Sequence, residues 1–344
     1  MAREYQGTGS AAGEDHGLHV VFGTGPVGCA AAEHLIEKGL RVRMVNRSGK
    51  LPPAWAGAKA PGLDVASADA MDASAVSAVS AGASHIYNCL HAPYNMWEQI
   101  LPSLYSNLIS AAATAGAVLG IAQNLYMYAR GVSVINEEAR VDPPSRKGRL
   151  ILRLHETLEE AGARSGLRWT TVRASDFYGP LATEQSLFGT VRFLDPMFAG
   201  KRGLLIGNID QPHTYTYVGD YGRALATAAL RSEALGRAWI VPNDRTLTTR
   251  ALAEMFFAAA GRPPRIRRAS RGALAVLGLF NPVIREIPEV LYQKEEPYVV
   301  DGSRFASTFG FAPTPLEEGV RRTLEWYRRW SAGKGGQAHD KRAA

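Results

Sequence analysis

Six residues near the start of the chain, Gly23-Thr24-Gly25-Pro26-Val27-Gly28, have the types and spacing to hold a pyrophosphate. They form G-x-G-x-x-G between an apolar run, Leu18–Phe22, and an amphipathic stretch, residues 29–38. In that strand–turn–helix setting the first glycine permits the tight turn. The second lets backbone approach the pyrophosphate, and the third lets helix pack on strand. Backbone N–H groups at the helix start then face the phosphates.

The end of the next strand selects the cofactor. An acidic residue there would bond the adenosine ribose 2′-hydroxyl and repel a 2′-phosphate. The chain reads Val45-Asn46-Arg47-Ser48, with no carboxylate. Arg47 and Ser48 can donate to a phosphate, so NADP is expected rather than NAD. Asp69, in the run Ser67-Ala68-Asp69-Ala70-Met71-Asp72, could meet the adenine amine or cap the next helix.

Acid–base candidates lie at strand ends. Tyr126 follows the fifth strand, at the carboxyl edge where such sheets bind ligands. A nearby cation, Lys147 or Arg149, could lower its phenol from about 10 and let it protonate a developing alkoxide; Lys147 reads equally as a solvated lysine. Asn124 could donate to a carbonyl oxygen. Tyr94, His91, Asp176 and Tyr178 lie on loops after strands and are candidate substrate contacts; each tyrosine could equally be a packed aromatic with a satisfied hydroxyl. Asp220, just before a helix, reads as an N-cap. No H-x-x-x-H or H-E-x-x-H spacing occurs, so no metal is expected. No G-x-S-x-G nucleophile motif occurs either.

These residues need a scaffold. The body alternates short apolar runs (18–22, 42–45, 85–90, 117–122, 169–173) with helical stretches (29–38, 74–81, 97–115, 150–163). That alternation predicts an α/β fold, a Rossmann-type doubly wound parallel sheet. Beyond about residue 180, helical pieces (221–230, 249–260, 316–330) sit between Pro- and Gly-marked loops. The expected division is a dinucleotide-binding domain over 18–180 and a smaller C-terminal substrate lobe over 181–331, interleaved with it. Residues 1–17 and 332–344 read as mobile tails. The lobe's arginines and aromatics (Phe256, Phe257, Phe280, Tyr292, Tyr298) are compatible with a large, partly apolar or anionic substrate.

The chain has 344 residues, 46% hydrophobic and 21% charged, within the globular range. Its two cysteines, Cys29 and Cys89, exclude a disulfide scaffold and fit a reducing compartment. The formal charge is +7. Residues 262–271 carry five arginines, yet no aromatic interleaves them, and no nucleic-acid partner is expected. No run reaches the roughly 18 apolar residues of a span, and no signal peptide is visible, so a cytoplasmic protein without a membrane partner is expected.

Together the glycine turn, Ala92-Pro93-Tyr94 with Trp97, Asn124-Leu125-Tyr126-Met127-Tyr128, Arg173-Ala174-Ser175-Asp176-Phe177-Tyr178-Gly179-Pro180 and Tyr217-Val218-Gly219-Asp220 are similar to the extended short-chain dehydrogenase/reductase superfamily, in its NAD-dependent epimerase/dehydratase branch. The likeness covers about 18–330. It implies a Rossmann domain, a nicotinamide cofactor, and a catalytic tyrosine with a lysine four positions later and a serine or threonine; a homodimer is common in the superfamily. This chain departs from that triad. Counting back from Glu156, the lysine slot holds Leu152 and the tyrosine slot Gly148; the serine slot holds Asn124. The chemistry expected is NADP(H)-dependent hydride transfer to or from a carbonyl or carbinol carbon with another proton donor. A redox-neutral epimerase, dehydratase or cyclase and a non-catalytic NADP(H) sensor remain as alternatives.

Overall fold

The computed structural model describes residues 17–52, 55, 60–269 and 271–340. The first part contains β1 (Leu18–Phe22), α1 (Pro26–Glu37), β2 (Arg41–Asn46), β3 (Leu63–Ser67), α2 (Ala73–Val79), β4 (Ala83–Asn88), α3 (Trp97–Ala115), β5 (Val118–Asn124), α4 (Arg146–Ser165) and β6 (Trp169–Ala174). There follow β7 (Phe177–Tyr178), α5 (Asp195–Phe198), β8 (Gly203–Ile206), β9 (Pro212–His213), β10 (Thr216–Tyr217), α6 (Val218–Ala229), β11 (Arg237–Ile240), β12 (Leu247–Thr248) and α7 (Thr249–Ala259). The chain closes with β13 (Ile266–Ala269), α8 (Arg271–Gly278), α9 (Pro282–Arg285), α10 (Tyr292–Glu295), α11 (Ser303–Phe309) and α12 (Leu316–Asp340).

Seven strands form one sheet in the order β11-β6-β5-β4-β1-β2-β3. All its pairings are parallel. A parallel sheet is covered on both faces, so its inner strands are largely buried; β6 is buried at all six positions, the polar Thr170, Thr171 and Arg173 included. One face packs on α2, α3 and α4 through Leu104, Leu108, Leu154 and Leu158. The other packs on α1 and α6 through Leu35, Ala224 and Leu225. A third cluster, with Phe188, Phe193, Phe256 and Phe257 at its centre, forms the core of the C-terminal lobe. Strand order reverses between β1 and β4. The crevice at their carboxyl ends is where such sheets bind ligands.

The structure moves several boundaries. α1 starts at Pro26 rather than 29, because proline at the first turn is already set for helix. α4 starts at Arg146 rather than 150, capped by Ser145 Oγ on Gly148 N–H. β3 and β11 went unseen: β3 carries Asp64 and Ser67 at the sheet edge, and β11 is only four residues long. α12 continues through Asp340, across residues assigned to a tail. The run contains glycines, each costing a helix about 1 kcal/mol, but no proline to break it. Residues 1–16 and 341–344, the rest of the expected tails, lie outside the described residues.

Candidate active site

The glycine turn is built as the spacing requires. Gly23 has φ +104°, a left-handed conformation, and a side chain there would meet the Cys89 carbonyl at 2.7 Å. A Cβ on Gly28 would fall 1.9 Å from Gly23 O. Gly25 is different: it is the N-cap of α1, is exposed, and a Cβ there would meet nothing within 4 Å. No side chain caps this helix start. Free N–H groups beside open space form an anion cradle, and these residues fit a dinucleotide pyrophosphate. Gly23 N–H donates to Val45 O (2.9 Å), which fixes the turn against β2.

At the end of β2, Asn46 organises the next turn. Its Nδ2 donates to Thr24 Oγ1 (3.1 Å) and Lys50 O (2.8 Å), and its Oδ1 accepts from the backbone N–H and hydroxyl of Ser48. Arg47 is exposed. Asp69 is exposed and accepts from Met71 N–H; the N-cap of α2 is Asp72, three residues on, which closes the capping alternative for Asp69.

Two tyrosines meet at the carboxyl ends of β4 and β5. Tyr94 and Tyr126 hydroxyls are 2.5 Å apart. The Trp97 ring lies roughly parallel to Tyr126, 5.9 Å away, and edge-on to Tyr94 at 5.1 Å. Its indole N–H donates to Ala92 O. His91 packs edge-on against Tyr94 and Trp97. Asn124 Oδ1 accepts from Tyr126 N–H (3.0 Å), so the turn after β5 is held by the residue in the serine slot. Gly148 explains the missing tyrosine. A Cβ there would lie 2.2 Å from Tyr126 O. The turn that carries Tyr126 occupies the space a side chain at 148 would need.

Lys147 corrects the sequence reading twice. It is buried, not solvated, with a side chain only 5% exposed. Its ammonium pairs with Glu286 and, at 2.9 Å, with Glu289. It lies 5.6 Å from the Tyr94 ring centre, but two carboxylates neutralise it, and it does not lower the Tyr126 phenol. Desolvation pushes Tyr126 well above its ordinary value, and Tyr94 and Asp176 push it further. Burial also raises Tyr94, to about 12. Both hydroxyls therefore hold their protons at neutral pH.

Asp176 belongs to a cluster that local spacing did not reveal. Its carboxylate pairs with Lys294 from α10 and lies 2.9 Å from His213 Nε2 on β9. Burial would raise this carboxyl, but Lys294 and His213 outweigh it and hold it below the ordinary range. Burial lowers His213. Tyr178, expected at the substrate, is instead a core residue, fully buried; a Cβ on Gly319 of α12 would lie 2.5 Å from its hydroxyl. Asp220 is not an N-cap. α6 starts after Tyr217, and Asp220 accepts from Thr314 N–H and hydroxyl and from Arg223, tying α6 to the loop before α12. Phe256 and Phe257 fill the lobe core, while Phe280 points to solvent.

A glycine-turn cradle at the switch point, with a tyrosine pair beside it, defines a dinucleotide-dependent α/β enzyme. The sequence matches the model of the NAD dependent epimerase/dehydratase family over residues 20–241, and the chain belongs to that family of nicotinamide-dependent enzymes. No curated protein sequence matches it. Among solved structures it is similar to UDP-N-acetylglucosamine 4-epimerase from Methanobrevibacter ruminantium in complex with UDP-N-acetylmuramic acid: 16% identity, TM-score 0.74, 91% of this chain and 99% of that one. It is similar to dTDP-glucose 4,6-dehydratase from Streptomyces venezuelae with NAD bound, at 17% identity and TM-score 0.71, over 90% and 96% of the chains. Thermus thermophilus UDP-glucose 4-epimerase in complex with NAD matches at 20% identity and TM-score 0.70, over 90% and 99%. At these identities the likeness is one of fold. None of the described helices is long and apolar enough to cross a membrane.

Proposed function

We propose that this protein transfers a hydride between a nicotinamide cofactor and a carbonyl or carbinol carbon, with Tyr126 as proton donor and Tyr94 as its partner. The observation that carries this reading is the 2.5 Å contact between the two hydroxyls, whose residues follow β4 and β5 at the same sheet edge from which the glycine turn leaves β1. The bound cofactor would supply the hydride chemistry, held by Gly23–Gly28 backbone N–H groups. Tyr126 Oη gives its proton to the developing alkoxide and takes one from Tyr94 through the hydrogen bond between them, and the half-buried Tyr94 regains its proton from solvent water. Asn124 uses Oδ1 on the turn, which leaves its NH2 group for the substrate oxygen. The buried Trp97 packs against both phenols and holds them in place, and the exposed His91 stands against Tyr94 and Trp97 at their solvent side. Residues 18–180 serve the cofactor and 181–331 the substrate, with Asp176, His213 and Lys294 at the junction. The exposed Arg47 and the absence of a carboxylate at the end of β2 support NADP(H) over NAD(H).

The family match supports a second reading, a redox-neutral epimerase or dehydratase that oxidises its substrate only transiently. Both readings use the same tyrosine pair. The test is cofactor titration by nicotinamide fluorescence, then turnover of candidate ketones. NADPH should bind at least about tenfold tighter than NADH, about 1.4 kcal/mol; equal affinities would remove the 2′-phosphate role of Arg47. Reduced-nicotinamide absorbance falls in step with carbonyl loss in the first reading and stays constant in the second. Tyr126→Phe should cost about 100- to 10,000-fold in kcat, and a loss under about fivefold rejects Tyr126 as the acid.

A further inference from the structure

Between Glu254 and Glu286 the chain carries six arginines, Arg262, Arg265, Arg267, Arg268, Arg271 and Arg285, and no carboxylate. Inside that span, α8, the turn after it and α9 project outward. Val276, Leu277, Leu279, Phe280 and Val283 are 59, 50, 69, 85 and 37% exposed. They account for five of the nine exposed large hydrophobic side chains among the described residues, within eight consecutive positions. Scattered apolar residues on a surface need no explanation, but a contiguous group does.

The tip is ordered by its own bonds. Leu274 anchors α8 in the lobe core. Asn281 Oδ1 caps α9, accepting from Val283 N–H (2.9 Å) and Ile284 N–H (3.2 Å). Arg285 Nε donates to Gly278 O (3.1 Å), which sets a guanidinium directly beneath the apolar turn. Arg267 and Arg268 on β13 are exposed, just before α8.

We propose that this tip is a peripheral membrane anchor that inserts into the interface of an anionic phospholipid bilayer. Apolar side chains at the point and a carboxylate-free arginine span behind it suit that surface: the former enter the acyl boundary, the latter meet negative headgroups. A second copy of the chain is a poorer occupant. Arg271 pairs with Glu295 at 2.8 Å, but the five remaining arginines would face the same five of the other copy across a span that carries no carboxylate, on a molecule already carrying +7. The position adds a consequence. α9 packs against the turn Tyr94–Met96, and Glu286 and Glu289 hold Lys147. A docked tip sets the tyrosine cleft at the membrane surface.

The experiment is co-sedimentation of the full chain with vesicles of phosphatidylcholine, and of phosphatidylcholine mixed with phosphatidylglycerol. The protein should pellet with the phosphatidylglycerol vesicles, and raised salt should release it. A Leu279→Ser, Phe280→Ser variant should lose about tenfold or more in partitioning. Its melting temperature should not change, since both side chains are exposed. An Arg267→Glu, Arg268→Glu variant should also melt normally and bind the anionic vesicles more weakly. The proposal is overturned if the unaltered protein ignores phosphatidylglycerol vesicles or if the serine variant binds them equally. A dimer in gel filtration that the serine variant splits, without vesicle binding, would assign the tip to self-association instead.

Discussion

Tyr126 and Gly148 have to be explained together. A proton donor in the usual place would stand on the first turn of α4, at 148. There the Tyr126 carbonyl comes within 2.2 Å of where a Cβ would be, so the turn after β5 has displaced the side chain and supplied a phenol of its own. Lys147, one position earlier, is a structural cation. Lys147→Met leaves the half-buried Glu286 and Glu289 without their ammonium, facing Arg146 at 3.4 and 3.5 Å, with Glu289 keeping the backbone N–H of residue 147. Removing one partner of a buried pair costs about 3 kcal/mol at the lower end. The variant's melting temperature should fall accordingly, read by thermal denaturation, while the pH dependence of turnover keeps its shape. A shifted alkaline limb in that profile, where a proton-donating phenol titrates, would restore Lys147 to the role of tuning the tyrosine. Tyr126, Tyr94 and Asp176 were legible as strand-end residues. His213 and Lys294 were not, because 37 and 118 positions along the chain (213 − 176 and 294 − 176) separate them from Asp176 and carry no spacing signal.

The glycine turn and α1 form the element on which the proposed cofactor binding rests. Gly25 and Gly28 make a discriminating pair there. Gly25→Val puts its side chain into the open cradle, where it meets no protein atom within 4 Å of the Cβ. The protein should fold with an unchanged melting temperature and bind NADPH below detection in fluorescence titration. Gly28→Ala instead drives a methyl to 1.9 Å from Gly23 O, so its melting temperature should fall together with binding. If Gly25→Val bound cofactor normally, the turn would serve only to join β1 to α1. The existence of β1, α1, α3, β5 and α4 was legible from apolar runs and glycine punctuation. Their starts were not always so, because capping by Ser145 and the preset φ of Pro26 extend helices past the apolar pattern.

For the whole molecule, buried histidines set the response to acid. Burial holds His34 and His85 at about 4 and His155 at about 3. Below the ordinary value of 6.5 the unfolded chain takes up protons that the fold refuses. Stability is therefore full above pH 6.5 and falls as pH drops from there toward 4, by up to about 1.4 kcal/mol per pH unit for each histidine. Asp176, held low in the fold, also loses stability with falling pH, but at a lower window, below the ordinary carboxylate value. Melting temperatures between pH 7.5 and pH 4.5, read by calorimetry, should decline steadily below about pH 6.5. His155→Phe, which keeps a ring beside Trp169, should flatten that decline. A melting temperature that rises toward pH 5 would mean these rings are protonated in the fold.

By itself the sequence determined the alternating strands and helices, the glycine turn with its place between β1 and α1, and the absence of a carboxylate at the end of β2. Each of these follows from local pattern: burial periodicity, the steric freedom of glycine, and the residue type at one strand end. Only the tertiary structure decided that Lys147 is neutralised by Glu286 and Glu289, that Tyr178 lies in the lobe core, and that Tyr94 and Tyr126 share a hydrogen bond. Those outcomes depend on which distant segments the sheet order and the lobe bring together. Electrostatic and packing energies act through space at a few ångströms, whatever the separation along the chain.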